Sequence, residues 1–93
     1  MKLQIKFDIQ GLSVDEAIEG AGAPEITHQA KMTIASRLGF LAGVFVKSMP
    51  DLEFAREVTR RYNSATGSHC DMPASVEHFI EWAIAQGLAS VID

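Results

Sequence analysis

Hydrophobic and polar residues alternate strictly over the first nine positions. Leu3, Ile5, Phe7 and Ile9 fall on one side, and Lys2, Gln4, Lys6 and Asp8 on the other. A period of two is the mark of a half-buried strand, so residues 2–9 are expected to be extended, with Gln10 and Gly11 ending the run. The pattern then changes. Ser13-Val14-Asp15-Glu16 has the spacing of a capping box, and its acidic residues suit a helix N-terminus, so a short helix is expected over 13–19. Gly20, Gly22 and Pro24 interrupt it.

From Pro24 to Lys47 the apolar positions Ile26, Ala30, Ile34, Leu38, Leu41 and Phe45 recur every three or four residues, which predicts one long helix. Pro24 suits its first turn, and Thr27 is an alternative cap. Within it, Leu38 to Val46 reads LGFLAGVFV, without one polar side chain. A helix that is apolar all round must be covered on every side. The run therefore predicts either a central buried helix or a subunit interface, with Leu38, Gly39, Phe40, Leu41, Gly43, Val44 and Phe45 as the interface residues. Ala35, Gly39 and Gly43 form a second stripe at a spacing of four. Glycine costs about 1 kcal/mol inside a helix. Two glycines on one stripe point to close approach of another backbone, the alternative being a weakened or bent helix.

A third helix is expected over 50–64, with Ser48 as its cap and Leu52, Ala55, Val58 and Tyr62 inward. The polar loop Asn63 to Pro73 separates it from a fourth helix over 73–86, which Gly87 ends. Val76, Phe79, Ile80, Ala83 and Ile84 form the apolar face of that helix, with Trp82 to one side. Residues 88–92 read either as a last strand beside the first or as a frayed helical turn. The fold class is thus α+β and mostly helical: one N-terminal strand, about four helices and this short C-terminal segment, in a single domain over residues 1–93. A lone strand leaves backbone groups unpaired, so it must pair with residues 88–92 or with the same strand of a second subunit. That need and the apolar run both point to a homodimer.

Composition narrows the class. The chain has 93 residues, 47% hydrophobic and 22% charged, which is globular and not disordered. The apolar run is far shorter than the roughly 20 residues that span a bilayer. The N-terminus lacks the continuous apolar stretch of a signal peptide. Cys70 is the only cysteine, which fits a reducing compartment. A soluble cytoplasmic protein is the expectation. The net charge of −4 disfavours general nucleic-acid binding. Charge is also uneven along the chain. Residues 1–7 and 31–61 are basic, while 8–30 and 62–93 are acidic. Such blocks either steer a partner or complement one another within the fold.

Candidate chemistry is sparse. His69, Cys70, Asp71 and His78 are the only cluster of metal-competent side chains, and their spacing fits no zinc pattern. Asp71 reads more simply as the cap of the fourth helix. Cys70 beside His69 or His78 lacks the orienting third group that thiolate catalysis needs. Arg56, Arg60 and Arg61, with Lys47, make a basic edge that Glu53 and Glu57 offset at ion-pair spacing. Gly20 to Pro24 precedes a helix N-terminus but carries no phosphate-loop motif. Tyr62 and Trp82 suit core packing better than an interface. No catalytic residue, metal or cofactor is assigned.

The expected function is that of a small acidic protein-binding module that is not an enzyme. It would act by occupying a partner's surface, as inhibitors, immunity proteins and accessory proteins of phages and mobile elements do. Asp15, Glu16, Glu19, Glu77 and Glu81 would meet a basic surface on that partner. The alternative is a small-ligand-binding or sensing module, with its pocket between the long helix and the strand or at a dimer seam. A metal- or thiol-dependent enzyme using His69, Cys70 and His78 ranks third.

Overall fold

A computed structural model describes residues 1–9 and 11–92. Gln10 and Asp93 lie outside the described residues. The chain runs β1 (Lys2–Ile9), β2 (Leu12–Glu19), α1 (Ala23–Arg37), α2 (Phe40–Ser48), α3 (Asp51–Thr66), α4 (Val76–Ala85) and β3 (Ala89–Val91). The three strands form an antiparallel sheet in the order β2-β1-β3. The class is α+β, as expected, but two strands stand at the start of the chain where one was predicted.

The helix expected over 13–19 is strand β2. Ile9 pairs with Leu12, and Gly11 between them takes a φ of +82°, a conformation that glycine adopts without strain. The strand's inward side carries Leu12, Val14, Glu16 and Ile18, and Val14 and Ile18 are buried. The capping-box pattern loses because β1 needs a partner along each edge and a tight reversal at Gly11 supplies one locally.

β3 supplies the other partner, pairing Leu3 with Val91 and Ile5 with Ala89. Residues 88–92 therefore end the fold as a strand. β1 is paired with β2 along its length and with the C-terminal segment from Lys2 to Lys6, so the strand finds partners within one chain and no longer calls for a second subunit.

One face of the sheet is covered. Leu3, Ile5, Val14, Ile18 and Ala89 pack against Ile26, Ala30 and Ile34 of α1, Phe54 and Ala55 of α3, and Phe79, Ile80 and Ala83 of α4. The other face carries Lys2, Gln4, Lys6 and Asp8 beside Ser13, Asp15, Ala17 and Glu19. It is the solvated side of a one-sided antiparallel sheet.

The long helix predicted over 24–47 is two helices. Leu38 (φ −92°, ψ 165°) and Gly39 (φ −63°, ψ 164°) are both extended, and the chain bends between α1 and α2. The bend brings Gly43 against α1. A β-carbon at Gly43 would stand 2.8 Å from the carbonyl oxygen of Ala35, whereas one at Gly39 would meet nothing within 4 Å. The expected close packing thus holds for Gly43, while Gly39 marks the break.

Three smaller corrections concern helix ends and faces. Ser75, not Asp71, caps α4, its hydroxyl accepting from the His78 N–H at 3.1 Å. Ser48 donates back to the Phe45 carbonyl, and Pro50 precedes α3 without a side-chain cap. In α3 the buried residues are Phe54, Ala55 and Thr59, so the inward stripe is rotated from the expected one.

Candidate functional site: the uncovered face of α2

The nine-residue apolar run is not buried within the chain. Phe40, Leu41, Val44 and Phe45 are 83%, 80%, 52% and 64% exposed. They lie at i, i+1, i+4 and i+5, which is one side of a helix. Gly43 on the opposite side is the buried residue of α2. Leu38 and Val46 are half-buried and pack against the edge of the core. Of the predicted interface residues, Phe40, Leu41, Val44 and Phe45 form the open surface, Gly43 seats the helix from behind, and Gly39 opens the bend.

A polar clamp fixes α2 at its far end. Lys31 of α1 is only 5% exposed. Its Nζ donates to the Met49 carbonyl at 2.8 Å and pairs with Asp51 Oδ1 at 2.9 Å. His28 Nδ1 lies 3.2 Å from the same carboxylate oxygen. Partial burial raises the Asp51 carboxyl pKa. The hydrogen bonds and charges of Lys31 and His28 outweigh that and hold it below its ordinary value of 3.8. The clamp ties the α2–α3 junction to α1, so the apolar face is presented on a helix held at both ends.

The five acidic residues are not brought together. Asp15 and Glu19 project from the open face of the sheet, opposite Lys6 and Lys2 in register. Asp15 Oδ1 accepts from Gln4 Nε2 at 2.5 Å. Glu16, one residue on, points to the covered side and pairs with Arg37. Glu77 and Glu81 are exposed on α4, which packs against β3, at the other edge of the sheet from β2. Two separate acidic outcrops result, and the one on β2 is partly countered by lysines and Arg37.

Several of the remaining candidates make contacts that hold the fold. Asn63 Nδ2 donates to the Cys70 carbonyl at 2.9 Å, and Asn63 Oδ1 accepts from the Cys70 N–H at 3.0 Å, which pins the loop and leaves the thiol half-buried. Among the described residues no group of three or more His, Cys, Asp or Glu side chains could hold a metal ion. Arg60 and Arg61 both pair with Glu57, and Arg56 Nε donates to the Pro73 carbonyl. At the start of α1, the Glu25 carboxylate accepts from the Ala21 N–H, so an acid of the chain itself already serves that turn.

Tyr62 and Trp82 meet edge to face at 5.2 Å between ring centres, and Phe79 and Phe54 continue the series. This ladder ties α3 to α4. The cavity among α1, α3, α4 and the sheet, lined by apolar side chains including Leu3, Ile34 and Trp82, holds about 40 Å³. That is near the volume of one water molecule and far below the roughly 300 Å³ at which ligand pockets begin. No helix among the described residues is long and apolar enough to cross a membrane.

Sequence reasoning found the residues of the α2 face but not their geometry. No family model, no curated protein and no solved structure matches the chain.

Proposed function

We propose that this protein is a non-enzymatic protein-binding module, of the inhibitor, immunity or accessory kind, which works through surface contact. The observation that carries this reading is the uncovered face of α2. Phe40, Leu41, Val44 and Phe45 together expose roughly 600 Å² of apolar surface, at the upper end of what monomeric proteins carry as a contiguous patch. Aromatic residues on a rigid element, with charge kept off the centre, are the composition of an interface core. Away from this patch, the acidic outcrops at Asp15 and Glu19 on the open sheet face and at Glu77 and Glu81 on α4 favour a partner with a basic surface.

The test is site-specific photocrosslinking in the cells that encode the protein. A photoreactive phenylalanine analogue at position 40 or 45 should give discrete protein adducts, and the same analogue at exposed position 64 on α3, away from both the patch and the β2 acids, should not. Adducts absent from positions 40 and 45, or equally abundant at position 64, would overturn the reading.

The small-ligand alternative is less well supported. The space beneath the helices is too small for a metabolite, and the larger concavity, about 500 Å³ beside Lys6, Asp8, Asp15 and Arg37 at the β1–β2 hairpin, is shallow and open to solvent.

A further inference from the structure

We infer that the partner seated on the α2 face is a second copy of this chain, packed α2 against α2 about a twofold axis. This rests on the protein-binding reading and names the occupant of its site.

Area supports a second copy. Two copies of a patch of roughly 600 Å² bury at most about 1,200 Å² when placed face to face, which just reaches the lower limit of specific and stable protein interfaces. Charge also supports it. A twofold contact sets each surface against itself, so any charge near its centre meets its own kind. Phe40 to Val46 contains no charged residue, and Lys47 stands at the end of the helix. With a net charge of −4 two copies repel overall, and the α2 face carries no charge at its centre to add to that repulsion. A basic partner, by contrast, finds nothing to pair with on this face and would take the acidic outcrops, which a dimer displays twice.

The seat of the helix fits this use. Gly43 lies directly on the Ala35 carbonyl, and the Lys31–Asp51 pair holds the following turn. The face is therefore presented in one fixed orientation. Pre-organisation of this kind lowers the ordering cost of association.

The experiment is sedimentation velocity of the purified full chain over a concentration series. The wild type should dimerise with a dissociation constant roughly in the micromolar range, as an interface of minimal area does. Leu41→Lys and Leu41→Glu, each alone, should be monomeric with unchanged helical content and melting cooperativity. A wild type that stays monomeric at several hundred micromolar overturns the proposal. So does a dimer that both variants retain, since the α2 face would then not carry the contact. The protein-binding reading fails separately, by the absence of adducts at positions 40 and 45 in cells. A monomer in solution with heavier adducts in cells would transfer the site to a different protein.

Discussion

Gly43 and Ala35 sit back to back across the α1–α2 bend, close enough that a β-carbon on Gly43 would lie 2.8 Å from the Ala35 carbonyl oxygen. No helix geometry within one element produces this contact. It exists because Leu38 and Gly39 are extended and α2 folds back on α1.

Gly43→Ala is therefore expected to push α2 off its seat and cost about 1–3 kcal/mol, as overpacking does. Gly39, with open space around it and an ordinary negative φ, should accept serine with a change of only a few tenths of a kcal/mol. Urea titration of the two variants compares them directly. Equal losses would show that the bend, and not the Gly43 contact, is what the chain requires of both glycines.

The Lys31–Asp51 clamp gives the fold an acid-sensitive element. Asp51 titrates below its ordinary value when folded, so it contributes stability that is complete above the unfolded-state pKa near 3.8. That stability is lost as the pH falls through the lower folded value. Asp51→Asn should cost about 1–2 kcal/mol near neutrality, because it leaves the Lys31 ammonium buried without its counter-charge. The difference from wild type should shrink below pH 3.8. Unfolding titrations at pH 7 and pH 3 measure both, and a difference that grows on acidification would contradict the assignment.

Glu16 is an inward-pointing charge on β2, which pairs on one side with β1 and is an edge of the described sheet. Charges so placed discourage edge-to-edge pairing. Glu16→Val should leave the fold in place, raise its stability slightly, and make the protein aggregate at lower concentration. Turbidity and light scattering against concentration are the measurements. Unchanged solubility would show that Asp15 and Glu19 protect the edge without it.

The loop residues His69 and Cys70, with His78, are expected to be dispensable for the fold and for metal binding. Replacing His69 and His78 by Ala and Cys70 by Ser should move the melting temperature by less than roughly 4 °C, which is under about 1 kcal/mol in a domain of this size. Added zinc or a chelator should leave the wild type unchanged. A zinc-dependent rise in melting temperature that the triple variant loses would restore a metal role to this loop.

The sequence announces some of this fold plainly and hides the rest for identifiable reasons. β1 is legible because every second residue from Leu3 to Ile9 is apolar. β2 is not, because Glu16 occupies an inward position that Arg37 neutralises, and the alternation breaks at that residue. Ile9 and Leu12 flanking Gly11 were the signal of a hairpin, set against a capping-box pattern of equal local strength. The helical spacing from Ile26 to Phe45 runs through the bend in the sequence, but the face it marks does not: Ile26, Ala30 and Ile34 are buried, whereas Leu41 and Phe45 are exposed. Phe40 to Phe45 was recognisable as demanding cover. Whether the cover came from the chain or from outside was not, because local periodicity carries no information on what lies beyond the bend.

Native mass spectrometry of the untagged protein over a dilution series tests the central claim most directly, because it reports subunit number and any retained ligand together. The α2 contact predicts a dimer of bare chains that separates on dilution into monomers of unmodified mass. Monomers at every concentration, carrying a retained small molecule or metal, would contradict the claim and move the function to ligand binding.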